Sequence, residues 1–187
     1  MAFFGQEIVP AVRKMRDFEW LLESHYEYII MLDTHISQLK SIVAYAKQSE
    51  KKLLLHADLI CGLKGDEYGA QFICEEIRPA GIISTRSSVV TTAKKKGLLA
   101  VQRLFLLDSL ALETSYQILG KNNPDYIEVL PGIMPNIIKE VYDKTRIPIF
   151  AGGLIRTSED VQAALDGGAL AATSSAKHLW KQFQPTP

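Results

Sequence analysis

The chain has 187 residues with 21 acidic and 21 basic side chains, so its formal net charge is zero. That length supports one domain with a substantial core, and the charge balance excludes any global pull towards nucleic acid or membranes, leaving only local patches for such contacts. Cys61 and Cys74 are too few and wrongly spaced for a CxxC metal or redox motif and read as buried, reduced thiols. No basic region followed by an apolar run is visible near Met1, and no apolar run is long enough to span a bilayer, so a cytoplasmic chain without membrane contact is expected.

Eight apolar runs alternate with helix-period segments. Ile8–Val12 is followed by a crossover, Asp17–His25, with room for a short helix. Tyr28–Leu32 leads into an apolar stripe at Ile36, Leu39, Ile42, Val43 and Ala46. Leu53–Ala57 precedes the loop Gly62–Asp66. Gly81–Ser84 leads to a helix that ends in Lys94, Lys95 and Lys96 before Gly97, where cations suit the helix dipole. Leu98–Val101, extendable to Leu104, and Asp125–Leu130 flank a helical Leu110–Leu119. Ile137–Tyr142 fills the next crossover before Pro148–Ala151. Thr157 with Asp160 forms an N-cap signature, Val161, Ala164 and Leu165 form a stripe, and Gly167-Gly168 ends that helix before Ala169–Ala172.

Continuous apolar runs suit parallel strands buried on both faces. Strands alternating with helices give an α/β fold, and eight such units predict a compact (β/α)8 TIM-type barrel. It would span residues 1–187 as one domain, with residues 184–187 a frayed tail. Such barrels rarely fall below about 200 residues, so helices and loops must be minimal. An open doubly wound sheet is the competing architecture.

In this architecture chemistry sits at the carboxyl ends of the strands. Gly152 and Gly153 lack a Cβ and allow close backbone approach to a ligand. Thr173, Ser174 and Ser175 are expected to open the last helix, offering hydroxyl and N–H groups to an anion. Two such turns side by side predict a phosphate grip. Side chains two apart on a strand share a face, so His56 and Asp58 point one way, and Glu128 shares a face with Tyr126 and Leu130. Two readings of Glu128 stand: an ion pair with Arg103 on the neighbouring strand, or a hydroxyl acceptor or general base. Asp33, His56, Asp58 and Glu128 form a loose oxygen-rich set that a divalent cation could join, although no recognised metal spacing is present and no cofactor is expected. Lys64, between two glycines, is either a lid cation or a solvated lysine. Trp20 and Trp180 read as packing. The absence of a central strand lysine disfavours Schiff-base chemistry, and no Gly-x-Gly-x-x-Gly or Walker loop occurs.

Four segments carry a more particular resemblance. Leu55-His-Ala-Asp-Leu-Ile-Cys-Gly-Leu-Lys-Gly-Asp66, Gly81-Ile-Ile-Ser-Thr-Arg86, Glu128-Val-Leu-Pro-Gly-Ile-Met-Pro135 and Ile149-Phe-Ala-Gly-Gly-Leu-Ile155 resemble the glycerol uptake operon antiterminator family across nearly the whole chain. The resemblance implies a barrel that binds glycerol-3-phosphate and then acts on leader mRNA as a transcription antiterminator, without catalysis. By position it puts the phosphate on Gly152, Gly153, Thr173, Ser174 and Ser175, with Gly132 shaping the wall. It puts His56, Asp58, Arg103 and Glu128 around the glycerol, with Asp33 and Lys64 nearby. RNA contacts would come from Arg86 with Lys94, Lys95 and Lys96, or from Lys177, His178 and Lys181. The effector would bias a loop or an interface, which leaves room for a homo-oligomer. The rival is a sugar- or triose-phosphate isomerase or lyase with Glu128 as base and His56 as electrophile or acid.

Overall fold

The computed structural model describes residues 3–185. Eight parallel strands close a barrel in chain order. They are β1 (Ile8–Val12), β2 (Tyr28–Met31), β3 (Lys52–His56), β4 (Gly81–Ser84), β5 (Leu99–Phe105), β6 (Tyr126–Leu130), β7 (Ile149–Gly152) and β8 (Ala171–Ser174). The helices α1 (Met15–Leu22), α2 (Leu39–Gln48), α3 (Glu67–Phe72), α4 (Ser87–Lys95), α5 (Ser109–Asn122), α6 (Pro135–Thr145), α7 (Ser158–Asp166) and α8 (Lys177–Gln182) follow the strands in turn. The open-sheet alternative is excluded, because β8 pairs with β1 through Ile8–Ala172 and Pro10–Ser174. The short chain closes eight units by economy: α1 has eight residues and α8 six.

Strand alternation sorts the core into two parts. Val9, Ala11, Ile30, Leu54, Ile83, Val101, Phe150 and Ala171 fill the barrel. Ile8, Ile29, Leu53, Leu55, Ile82, Ile127, Ile149 and Ala172 face outward under the helices. Thr157 caps α7 in a reciprocal capping box with Asp160, as its sequence signature predicts. A two-residue parallel ribbon, Thr34–His35 with Ile60–Cys61, stands apart from the barrel between two of the loops. It leaves Cys61 exposed, contrary to the expectation of two buried thiols, whereas Cys74 is buried and its thiol is pushed up to about 11 by that burial. The expected frayed tail lies partly outside the described residues.

The last strand begins two residues later than its apolar run suggests. The amide of Ala169 closes the end of α7 on Ala164, and that of Leu170 bonds Ile149 before the ladder begins. Thr173 and Ser174 are therefore strand residues, and α8 starts only at Lys177.

The amino end of the barrel is plugged by a segment whose role the sequence does not announce. Phe3 packs against Tyr28, Tyr126 and Phe150 with ring centroids 4.5 to 5.3 Å apart. Gln6 holds the segment in place: its side-chain oxygen accepts from the amides of Glu27 and Tyr28, and its amide group donates to the carbonyls of Ile8 and Tyr28. Truncating a buried phenylalanine costs about 3–5 kcal/mol. Phe3→Ala should lower the urea unfolding free energy by about that amount; an unchanged midpoint would mean the plug contributes nothing to the core.

Candidate functional site

The carboxyl end of the barrel carries a polar layer built by the same alternation as the core. His56 follows Leu54, Arg103 follows Val101, Glu128 follows Tyr126 and Thr173 follows Ala171, each two residues further along its strand. Arg103 and Glu128 are register partners on β5 and β6. Arg103 Nε donates to Glu128 Oε2 at 2.6 Å, and Thr173 Oγ1 donates to Glu128 Oε1 at 2.7 Å. The Glu128 carboxylate is 1% exposed, so its charge is tolerated because both oxygens are occupied. Of the two readings of Glu128, the ion pair with Arg103 is present.

Gly152 makes this arrangement possible. A Cβ there would lie 2.5 Å from Thr173 Oγ1 and 2.7 Å from Glu128 Oε1. Its missing side chain leaves room for the Glu128 carboxylate rather than for an approaching ligand. Gly132 is likewise a packing glycine, since a Cβ there would collide with the backbone of Ala151 and Gly152. Gly153 is different: its φ of +74° is followed by +61° at Leu154, two left-handed residues in succession.

Above Glu128 lies a cavity of about 170 Å³ lined by Arg13, Arg103, Glu128, Gly153, Leu154, Thr173, Ser174 and Ser175, with Ala11, Leu32, Leu130 and Ile155 as its apolar wall. It is smaller than the roughly 300–1,000 Å³ typical of drug-sized ligands. Arg103 donates its Nε to Glu128 and is one of the residues lining the cavity. Arg13 stands at the rim, ion-paired with Asp33. The amides of Gly153, Leu154 and Ser175 enter no turn or loop hydrogen bond among the described residues. The three hydroxyls do not act together, as the later start of β8 requires. Thr173 is tied to Glu128, and Ser174 donates to the Ile155 carbonyl and accepts from the Ala176 amide. Ser175 alone is exposed.

Six of the expected ligand residues thus meet in one cavity: Arg103, Glu128, Gly153, Thr173, Ser174 and Ser175. Asp33, His56, Asp58, Lys64, Gly132 and Gly152 do not line it. Asp58 sits on a short 3-10 turn and accepts from Ser84 Oγ, Thr85 N and Thr85 Oγ1. Burial opposes its charge, but those three donors outweigh it and hold the carboxyl below its ordinary value. Lys64 is exposed and paired with Asp66 at 2.9 Å. The four residues read as a loose cation set are separately engaged or enclosed, and among the described residues no three His, Cys, Asp or Glu side chains cluster closely enough to hold an ion. Arg13, just past β1, lines the cavity as well, outside the set the resemblance selects.

Arg86 and the lysine run do not form one surface. Arg86 precedes α4 at the mouth and bonds the Gly65 carbonyl, while Lys94 and Lys96 lie at the far end of that helix, paired with Asp125 and Glu75. At about 1.5 Å of rise per residue the two groups are roughly 12 Å apart along the axis.

His56 lies in the barrel interior, 3% exposed, and neither ring nitrogen has a hydrogen-bond partner among the described residues. Burial, reinforced by the nearby Arg103 charge, pushes its pKa down to about 4. A histidine released to its unfolded value near 6.5 takes up a proton that the native state refuses. Native stability attributable to His56 is therefore complete above about pH 6.5 and is lost as pH falls towards 4, by about 3 kcal/mol. Urea titrations at pH 7 and pH 4.5 should show a smaller acid loss in His56→Leu than in the unmodified chain; equal losses would mean that His56 is not held neutral.

A closed eight-stranded barrel with a small polar cavity at the carboxyl ends of its strands belongs to the TIM-type α/β proteins. Residues 8–180 match the model of the glycerol-3-phosphate responsive antiterminator family, and the chain belongs to that family. It is similar to the glycerol uptake operon antiterminator regulatory protein of Listeria monocytogenes, with 48% identity, a TM-score of 0.93 and coverage of 97% of this chain and 98% of that one. A glycerol uptake operon antiterminator-related protein from Thermotoga maritima is 28% identical with a TM-score of 0.83, covering 94% and 98% of the two chains. The uncharacterized protein YgcP of Escherichia coli is 31% identical over 92% of this chain and 91% of its own length. A deoxyribose phosphate aldolase from Aeropyrum pernix, at 15% identity and a TM-score of 0.70, shares the fold alone. No described helix is long and apolar enough to cross a membrane.

Proposed function

We propose that this chain is a non-catalytic sensor that seats glycerol-3-phosphate in the mouth cavity and, when loaded, binds leader mRNA to carry transcription past a terminator. The observation that carries the reading is the cavity itself, where a half-buried arginine meets the unbonded amides after β7 and β8 in a family defined by its response to that metabolite. The phosphate takes the N–H groups of Gly153, Leu154 and Ser175 with the Ser175 hydroxyl. The glycerol hydroxyls face the Arg103–Glu128–Thr173 layer.

Two features speak for sensing over turnover. Glu128 is bonded by both Arg103 and Thr173, which leaves it poorly placed to take a proton from carbon. The described cavity lining contains no lysine to form a Schiff base. The isomerase or lyase alternative rests on the fold, which hosts many chemistries.

Calorimetry should show glycerol-3-phosphate binding that weakens roughly 10- to 100-fold in Arg103→Ala, the scale of a lost charge-assisted hydrogen bond. NMR of the protein with glycerol-3-phosphate or dihydroxyacetone phosphate should show both unchanged. Sustained conversion that disappears in Glu128→Gln would replace the sensor with an enzyme. Equal retention of leader RNA on filters with and without the metabolite would remove ligand gating.

A further inference from the structure

Trp20 is 38% exposed although its partner Trp180 is buried. The two indoles lie nearly parallel, 22° apart with centroids at 6.4 Å. Trp180 is fixed from both sides: its Nε1 donates to the Ser174 carbonyl at 2.7 Å, and its own carbonyl accepts from the Tyr26 hydroxyl at 2.8 Å. Trp20 therefore rests on a rigid platform and still presents ring surface to solvent. Around it Arg16, Asp17, Lys177 and Lys181 complete a groove of about 320 Å³ between α1 and α8. Lys177 is paired with Asp17 at 2.5 Å, whereas Arg16 and Lys181 have no carboxylate partner among the described residues. Arg16 lies in the first turn of α1, where the helix dipole disfavours a cation. Packing does not explain this combination, since it leaves an aromatic face wet and two cations in one groove without a carboxylate partner among the described residues.

We propose that the α1–α8 groove is a docking surface for single-stranded RNA, with a base stacked on Trp20 and backbone phosphates on Arg16 and Lys181. An aromatic platform beside a short cationic track is the recurring means of holding a single strand, because every base has a stacking face and every nucleotide a phosphate. Charge complementarity selects this occupant, because the one carboxylate in the described groove lining, Asp17, is already paired with Lys177 and leaves Arg16 and Lys181 to meet phosphates. The proposal rests on the reading of the chain as an RNA-binding antiterminator and assigns the surface that does the binding. It moves the RNA contact away from Arg86 and Lys94–Lys96 and keeps only the carboxyl-terminal part of the second sequence expectation.

Fluorescence anisotropy of a labelled, mixed-sequence 20-nucleotide single-stranded RNA against the full chain, with glycerol-3-phosphate present, tests it. Trp20→Ala should weaken binding roughly 10-fold or more, and Trp20→Phe should retain most of the affinity. Arg16→Ala/Lys181→Ala should weaken binding and make the logarithmic salt dependence shallower by roughly 1.4, two phosphate contacts at about 0.7 each. Lys121→Ala/Lys139→Ala, on α5 and α6, should bind like the unmodified chain, and melting curves confirm that each variant is folded. If the unmodified chain binds and the groove variants bind equally well, the groove is wrong while the antiterminator reading stands. If the unmodified chain binds no RNA with or without the metabolite, both fall.

Discussion

The Glu128 carboxylate, bonded on one oxygen by Arg103 and on the other by Thr173, is the contact on which the mouth of this barrel depends. It joins β5, β6 and β8 across the barrel interior. A buried carboxylate lacking either partner would be strongly destabilising, so the three residues form one unit. The unit also explains a residue that makes no contact of its own. Gly152, on β7, must have no Cβ because the Glu128–Thr173 bond passes through the space that a Cβ would fill. Four consecutive strands of the closed sheet thus converge on one ion pair, and that ion pair forms the floor of the cavity.

The same unit decides what the cavity can do. A glutamate already accepting two short hydrogen bonds is a fixed wall rather than a free base. Rigid polar floors suit recognition, because a ligand hydroxyl pairs with groups whose positions are already set and little ordering cost remains. His56 belongs to the same layer but not to the cavity. Held neutral by burial and by the Arg103 charge, it adds no further cation beneath Arg103.

Strand periodicity carried the fold in this chain, because Ile-, Val- and Leu-rich runs buried on two faces have few other uses. It failed where the run was made of small residues. Gly167 to Ala172 gives no local mark of where the ladder begins, and the register is set from outside, by Ile8 opposite Ala172. Two residues of displacement place Thr173 and Ser174 in the strand rather than at a helix start, where they line the cavity while their hydroxyls bond within the protein. Gly152 shows a related ambiguity: a glycine that admits a ligand and a glycine that admits a neighbouring carboxylate look the same in sequence, and here the carboxylate of Glu128 takes the space. The ion pair of Arg103 with Glu128 was legible, since both residues interrupt apolar strands that must be neighbours. The separation of Arg86 from Lys94–Lys96 was also legible, as more than two helical turns divide them. The Phe3 plug was not, because a short segment with no period carries no signal until the rings it meets are assembled.

Ser174 links the cavity to the α1–α8 groove. Ser174 lines the cavity, and its carbonyl is the acceptor for the Trp180 indole on which Trp20 lies. Coupling between two sites requires that a ligand at one of them interact differently with two arrangements of the element between them. Ser174, the last residue of β8, lies between the two sites. Its hydroxyl and carbonyl groups are bonded to Ile155 and Trp180, whereas the amide of the adjoining Ser175 is left for an anion. In the proposed reading, a phosphate held by that amide would act on the residue next to the indole's anchor. On that reading, one peptide unit and the stacked indoles of Trp180 and Trp20 would separate the effector from the proposed RNA surface.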